Sequence, residues 1–551
     1  MESYPSDQGV SPTHFLGLIP LTAESVLEIS STVDNLGEYF LRRSPSATWN
    51  RVKQLSADMA ERFNAVVIRK SSYDAKDVFE TLNVIKYLLK DNGVAIVEVS
   101  NPAHWQLLFL SLSSNEPFQA MPTADLGFPL SIEAIDRRFN HAGLSLRKAQ
   151  AVKPALPLAI SEMVDKICRQ EGFVRPLNAE LIKTKLSERS YLLCGSLSAQ
   201  SEASIQHKAS HRTRLTIAML AMAPSFADVR TKLPLSAYAT LPDVEVVYFE
   251  RQGSLPSLPV DQPKVLVVQR QLPDAEDAWQ AVVDRLHTKG WAVVAEWDDH
   301  PDLFAPPIRA KFDKVPWASV KLADAVQTST ELLASEIRRV VHRDVVVFDN
   351  RLLDLPRIAP ESKDGTVRVL MAGLNRTSEF LKVVEQLNQI LVQGHRLEFI
   401  VVQDRRVFDA IHSSHKKFFP QLNYEEYNNV LSICNLVLMP LSDSLGNRCK
   451  SDLKWVECAS HGIACIGSRV VYGETIRHGV DGLLADEIDD FGRHVISLLK
   501  SPGLITQLGT EARRRVANER LLCQVVEQRV SWYLSVWQSV FGLGMAADAS
   551  D

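Results

Sequence analysis

The sequence is poor in residues that would tie a chain covalently or hold a metal. Its 551 residues include only 7 cysteines, at 168, 194, 434, 449, 458, 465 and 523. The number is odd, no Cys-x-x-Cys pair occurs, and no histidine stands at finger spacing, which excludes a disulfide framework and a zinc finger. A reducing cytoplasm is the expected compartment. Long apolar runs are missing as well. The longest, at 215–223, falls far short of the roughly 20 residues of a membrane span, so no transmembrane segment is expected. Nor is one sign of charge in excess: 61 Lys and Arg stand against 66 Asp and Glu, a net −5. That argues against general affinity for nucleic acid or an anionic membrane. Residues 1–14 lack the basic-then-apolar pattern of a signal peptide and read as a disordered tail. No internal repeat of solenoid period occurs.

What is present is ordinary globular composition, 46% hydrophobic and 23% charged, in a chain too long for one core. Short apolar runs recur at 65–68, 94–99, 265–268, 292–295, 345–348, 367–371, 397–402, 436–439 and 463–467. Each precedes a stretch of helical period. Continuous rather than alternating apolar runs suit strands covered on both faces, and the alternation with helices predicts parallel α/β layers. Polar, aperiodic residues 199–212 read as a linker, and 353–366, with Pro356 and Pro360, as a hinge. The expected domains are therefore 15–198, 213–352 and 367–510. A C-terminal helix and tail, 511–551, carries Trp532 and Trp537 back onto the body.

The richest stretch is 436–485, LVLMPLSDSLGNRCKSDLKWVECASHGIACIGSRVVYGETIRHGVDGLLA, which reads as strand, loop, helix, strand, loop and short strand. The helix is expected to begin near 449–451 and to end at His461-Gly462. Lys450, Lys454, Glu457 and His461 then share one face, with Leu453, Val456, Ala459 and Ser460 opposite. A nucleoside diphosphate needs cations and the free N–H groups of a helix N-terminus, where Arg448 and Lys450 stand. Its ribose needs a carboxylate, which Glu457 could supply. Residues 442–447, including Asn447, would lie at the carboxyl edge of the sheet, where α/β ligands bind. The plainer alternative is a solvated face with weak ion pairs.

The segment KSDLKWVECASHGIACIGS followed by GETIRHGVDGLL resembles the donor signature of family-4-type GT-B glycosyltransferases. The resemblance implies that Glu457 meets the nucleotide ribose and that Lys450 or Lys454 meets the diphosphate. Turns at Gly479 and Gly482 would shape the loop behind the donor. The family commonly carries two glutamates eight positions apart, and Cys449 stands in the place of the first, which normally faces the transferred sugar. The chain better matches a subset with K-S-D-x-K-x-x-E. In the same family the loop after the first strand touches the donor phosphates, which makes Gly373, Asn375 and Arg376 candidates. Residues 223–234 resemble the opening loop of the acceptor domain, and VLVVQR (265–270) and AEWDD (295–299) would end at the same cleft. Asp298, Asp299 and His300 are the acceptor-side acid/base candidates, the alternative being a turn that caps the next helix. The implied activity is transfer, with retention, from a UDP- or GDP-sugar co-substrate to a glycan or protein hydroxyl. No metal and no permanently bound cofactor are expected.

Near the N-terminus, 25–42, FNAVVI (63–68), LNVIKYLLKDNGVAIVEVSNPAHW and the closing RSYLLCGSL resemble a class I S-adenosylmethionine methyltransferase. Ser30, Thr32 and Asp34 replace the three expected glycines, and no acidic ribose partner follows near 50–53. The expectation is thus three Rossmann-like α/β domains, a non-catalytic methyltransferase-like domain followed by a two-domain GT-B glycosyltransferase. The first domain would hold an acceptor or mediate a homo-oligomer. Two alternatives remain: a bifunctional methyltransferase-glycosyltransferase, and a non-catalytic scaffold of decayed enzyme domains.

Overall fold

The computed structural model describes residues 11–30, 34–53, 55, 59–69, 81–100, 132–153, 161–162, 164–165, 183, 190–197, 214–222, 228–358, 366–373 and 376–545. The chain forms two compact units, one of 1–212 with 239–244, the other of 213–238 with 245–551. The first unit is built on one mixed sheet and the second on two sheets.

The first unit holds β1 (Ser25–Ser30), β2 (Thr48–Val52), β3 (Phe63–Arg69), β4 (Leu89–Ser100), β5 (Leu144–Val152) and β6 (Ser190–Leu197). Their order is β2-β1-β3-β4-β6-β5, with β6 antiparallel to both neighbours. Val66, Ile68 and Val97 pack on one face, Ala65, Val67 and Ile96 on the other. Apolar cover on both faces is what the unbroken run FNAVVI requires. The short helix Pro12–Leu16 begins inside the stretch read as a tail, and its Phe15 is wholly buried.

In the second unit one sheet contains β7 (Leu215–Ala221), β8 (Val244–Glu250), β9 (Lys264–Gln269), β10 (Ala292–Trp297), β11 (Ala325–Thr328) and β12 (Asp344–Val347). Their order is β12-β11-β10-β9-β7-β8. The other contains β13 (Val367–Ala372), β14 (Leu397–Val402), β15 (Lys416–Phe419), β16 (Leu436–Met439), β17 (Ala464–Ser468) and β18 (Leu483–Ala485), in the all-parallel order β15-β14-β13-β16-β17-β18. We call these the first and second lobes. With right-handed crossovers, helices cover both faces of an open sheet only if the strand order reverses, as it does beside β7 and again beside β13. At such reversals adjacent loops diverge and leave a crevice.

The C-terminal stretch breaks into the helices Pro502–Glu519 and Val526–Met545. The first covers the second lobe. The second crosses back to the first lobe, where Tyr533 Oη donates to Gln327, Trp537 Nε1 to the Gly290 carbonyl and Trp532 Nε1 to Asp344. No helix among the described residues is long and apolar enough to cross a membrane.

One expectation within 436–485 is corrected. The helix does not begin at 449–451; it spans Leu453–Ser460, with Asp452 at its N-cap, after a separate four-residue turn, Leu445–Arg448. Ser444 caps that turn through the Asn447 amide. Asp452 holds the N-cap position without a side-chain capping bond and instead takes both its oxygens to Arg520, so the helix starts two to four residues later than the periodicity suggests.

The end of the helix Leu453–Ser460 is set by Gly462, whose φ of +75° favours glycine. Gly509 of the helix Pro502–Glu519 lies against it so closely that an added Cβ would stand 1.9 Å from the Gly462 carbonyl oxygen. Gly509→Ala should therefore destabilise the second unit by about 1–3 kcal/mol or more through overpacking. Gly503→Ala in the same helix meets nothing within 4 Å and should gain a few tenths to about 1 kcal/mol. Urea unfolding of both variants checks the contrast; equal effects would contradict the close approach.

Candidate functional site

At the reversal in the second lobe, the loops after β13 and β16 face each other. Gly373 begins the first. A Cβ there would lie 3.0 Å from Arg376 Cδ, so glycine lets the arginine fold back over the strand end. Arg376 is also the N-cap residue of the helix Thr377–Val392. A cationic residue thus stands at the start of a sixteen-residue helix, where the dipole favours an anion, and its guanidinium also bonds the Tyr472 hydroxyl. Asn375 lies outside the described residues. In the first turn of that helix, Glu379 accepts a 2.7 Å bond from Ser442 Oγ and so ties the two loops together. Burial would raise its carboxyl, but the Ser378 and Ser442 hydroxyls hold it below the ordinary value.

In the loop after β16, Asn447 Nδ2 donates to the Ser442 carbonyl at 3.0 Å. Arg448 turns outward and is gripped in two places by Asp443, at 2.5 and 2.6 Å. Lys450 is different. Its side chain makes no hydrogen bond or ion pair among the described residues. Its ammonium pKa is lowered by burial and by the positive charge of Arg376, and sustained by Asp299 and Glu379, with Arg270 adding further repulsion. These five charges therefore share one region, although they come from both lobes.

Along the helix Leu453–Ser460, Trp455, Val456, Cys458 and Ala459 are buried in the core. Glu457 is only 8% exposed. Burial raises its carboxyl pKa and Lys454 opposes the rise. Lys454 itself donates to Tyr427 Oη at 2.7 Å. Tyr424 and Tyr427 both feel the Glu457 charge, and desolvation above all raises their phenols. Nothing in the spacing of 436–485 pointed to these tyrosines, which arrive from the helix Tyr424–Leu431. The two lysines of the motif thus have different roles available: Lys454 is bound to a phenol, and Lys450 faces the crevice.

Across from Lys450, in the first lobe, Asp298 and Asp299 follow β10. Both are held by Arg270, through Nε to Asp298 and through Nη2 to Asp299 at 2.5 Å. Arg270 follows β9 with a φ of +49°, a conformation costly for a non-glycine residue and common at functional sites. Desolvation works to raise both carboxyls. Arg270 overcomes it at Asp298, which is lowered, whereas Asp299 is raised, with the charge of Asp298 adding to burial. His300 accepts the Asp302 amide at 3.3 Å and so caps the turn Pro301–Leu303. Two residues before Asp298, Glu296 is wholly buried and pairs with Arg230 at 2.7 Å. Burial pushes its carboxyl up to about 7 against the pull of Arg230. The sequence patterns single out neither Arg230, inside 223–234, nor Arg270, at the end of VLVVQR. The available signal was a glutamate inside the apolar strand AVVAEW, which needs a buried cation.

The structure therefore brings Gly373, Arg376, Lys450, Asp298 and Asp299 to one crevice, with Asn447 in its rim. Glu457 lies on the adjoining helix, and Arg448 points to solvent. No group of three His, Cys, Asp or Glu side chains that could hold a metal occurs among the described residues.

No family model matches the chain, and no curated protein matches it. Solved structures similar to it include sucrose-phosphate synthase from Thermosynechococcus elongatus, 14% identical over 59% of this chain and 100% of that one, with a TM-score of 0.44. HepE from Anabaena, solved with UDP and glucose, is 13% identical over 58% of this chain and 99% of its own, with a TM-score of 0.41. A TarM variant from S. aureus solved with UDP is 12% identical over 49% and 55%, with a TM-score of 0.38.

In the first unit the reversal lies between β1 and β3; Thr32 lies outside the described residues, and the described ones there pair among themselves. Glu28 is fully buried and takes bonds from Trp49, Arg51 and Arg69. Asp34 pairs with Arg69 at 2.7 Å. That guanidinium also lies 4.7 Å from the centre of the Phe15 ring. The strand ends are filled by an internal charge cluster, and both carboxylates have cationic partners.

His461 closes the helix Leu453–Ser460 and its Nε2 lies 3.0 Å from Asn428 Oδ1. Burial and Arg513 depress its pKa from 6.5 to about 4. A lowered histidine stabilises the fold above its unfolded pKa, and that stability is lost as pH falls through the folded value. Acidification from pH 6.5 to about 4 should cost up to about 3 kcal/mol through this residue. Urea titrations across that range should show a shallower slope in His461→Gln; an unchanged slope would assign the acid sensitivity elsewhere.

Proposed function

We propose that the second unit is a glycosyltransferase that moves a sugar from a nucleotide diphosphate, UDP or GDP, to a hydroxyl of a glycan or protein. The observation that carries this reading is the convergence of Lys450, Arg376 and the N-terminus of the helix Thr377–Val392 at a strand-order reversal, beside the buried Glu457. Cations and free amides suit the diphosphate, and a carboxylate shielded from water suits the two ribose hydroxyls. In this scheme the bond from the sugar anomeric carbon to the diphosphate oxygen breaks, and Lys450 and Arg376 stabilise the charge that develops. The acceptor oxygen bonds to the same face of that carbon, and its proton passes to the departing phosphate. Asp299, more open than Asp298 at 33% against 14%, orients the acceptor hydroxyl. Asp298 and His300 hold the turn around it. The first unit is read as a methyltransferase-like domain without its cofactor, available to hold an acceptor or a second copy of the chain.

A specific observation favours a second reading. Cys449, in the place of the glutamate expected to face the sugar, is wholly buried in the apolar core of the first lobe. A chain that binds the nucleotide end of a donor without transferring the sugar would be a scaffold.

Donor hydrolysis and transfer, measured over a set of UDP- and GDP-sugars, separate the two. Lys450→Ala should lower kcat about 10²–10³-fold, as loss of a group stabilising developing charge does. Glu457→Ala should weaken nucleotide affinity about tenfold or more, the value of a charge-assisted hydrogen bond. Binding without turnover would support the scaffold, and neither binding nor turnover would refute both readings. Retention is checked by NMR of the product anomer.

A further inference from the structure

Lys450 lies in a four-residue run whose other members are all tied down. The Cys449 carbonyl accepts a 3.0 Å bond from Thr330 Oγ1 of the first lobe. Ser451 Oγ accepts a 2.7 Å bond from Asn350 Nδ2, on the segment leading out of that lobe. Asp452 takes two bonds from Arg520, at 2.6 and 2.7 Å.

The groups that reach in from the first lobe are themselves immobilised. Thr330 Oγ1 also accepts the Leu333 amide as the N-cap of the helix Glu331–Arg338, which fixes its hydroxyl. Asn350 is 4% exposed. Its Oδ1 accepts from Arg230 at 3.0 Å and its carbonyl from Arg520. Arg230 in turn is locked by Glu296 and by the Phe348 carbonyl at 2.6 Å. Apolar contact closes the seam: Cys449 is buried among first-lobe residues, and a Cβ on Gly446 would stand 3.0 Å from Leu303.

From this arrangement we infer that Asn350 and Thr330 are positioning residues: they seat Lys450, so the cation of the crevice is in place only when the first lobe is docked on the second. The binding of the second lobe's ligand and the closure of the cleft then become one event. A group that acts in this way contributes without touching substrate, through the backbone on either side of the lysine. Its consequence for the reaction rests on the reading of Lys450 as the diphosphate cation; its consequence for Lys450 itself does not.

The test is made on the full chain with two readouts. The first is the titration of Lys450, followed by NMR of the reductively ¹³C-methylated protein and assigned with Lys450→Arg. The groups facing this ammonium are Arg376, Asp299, Glu379 and Arg270. In Asn350→Ala, Thr330→Val and Ser451→Ala its titration should move up toward that of an ordinary lysine, because the side chain leaves its buried seat. Ser451→Ala removes the bond from the loop side and leaves the Arg230 network intact, which guards against a folding defect in Asn350→Ala. The second readout is the affinity for UDP and for GDP. Asn350→Ala should weaken it about tenfold, and should weaken it no further in a Lys450→Ala background, since two changes that act through one group are not additive. An unmoved Lys450 titration in Thr330→Val and Ser451→Ala overturns the inference, as does full additivity with Lys450→Ala. A shifted titration combined with unchanged nucleotide affinity in Lys450→Ala leaves the seating intact and refutes the diphosphate reading.

Discussion

The two lobes of the second unit depend on the clasp that Arg520 makes where the chain passes between them twice. Its guanidinium holds both oxygens of Asp452 and the carbonyl of Asn350. Around it, Leu352 and Leu521 pair as parallel backbone, with bonds of 3.0 and 2.9 Å to the flanking residues. The outgoing segment, the returning segment and the start of the helix Leu453–Ser460 thus meet at one charge. With both partners 14% exposed, removal of either would leave a poorly solvated ion, a cost of several kcal/mol. Asp452 is also the N-cap of the helix that bears Glu457, so the same clasp fixes where that helix begins.

Burial of charge is the recurring cost in this fold, and the second unit places it at the carboxyl ends of its strands. Glu296 with Arg230, and Asp298 and Asp299 with Arg270, lie where the first lobe turns toward the crevice. Desolvation raises Glu296 and Asp299 while Asp298 remains lowered. Carboxyls of similar chemistry are thereby set apart by their surroundings, the condition in which such groups can divide roles. The first unit spends similar charges differently. There Glu28, Asp34, Arg51 and Arg69 satisfy one another, so the corresponding strand ends offer a closed cluster.

Much of the architecture was legible in the chain. Continuous apolar runs such as 265–268 and 399–402 mark strands that the structure buries on both faces, because a parallel strand beneath two helix layers has no polar side to show. The signal failed where two elements share a period. The periodicity of 449–461 suggests a helix start near 449–451, yet the helix begins only at Leu453, after a separate turn, Leu445–Arg448, that Ser444 caps. Candidate residues within a motif are legible because they lie close in sequence. Arg230, Arg270, Tyr424 and Tyr427 are not, since each reaches its partner from a distant segment.

By itself, then, the sequence determined the α/β class, the places of most strands, and a cationic motif with a glutamate two helical turns beyond its start. These are local matters, set by side-chain periodicity and capping. Only the tertiary structure decided that Lys450 faces the crevice while Lys454 is held by a tyrosine, and that Cys449 belongs to the core of the opposite lobe. The reason is physical. Which of two like charges stays open depends on the groups that desolvate and pair with it, and these come from strands and helices tens to hundreds of residues away.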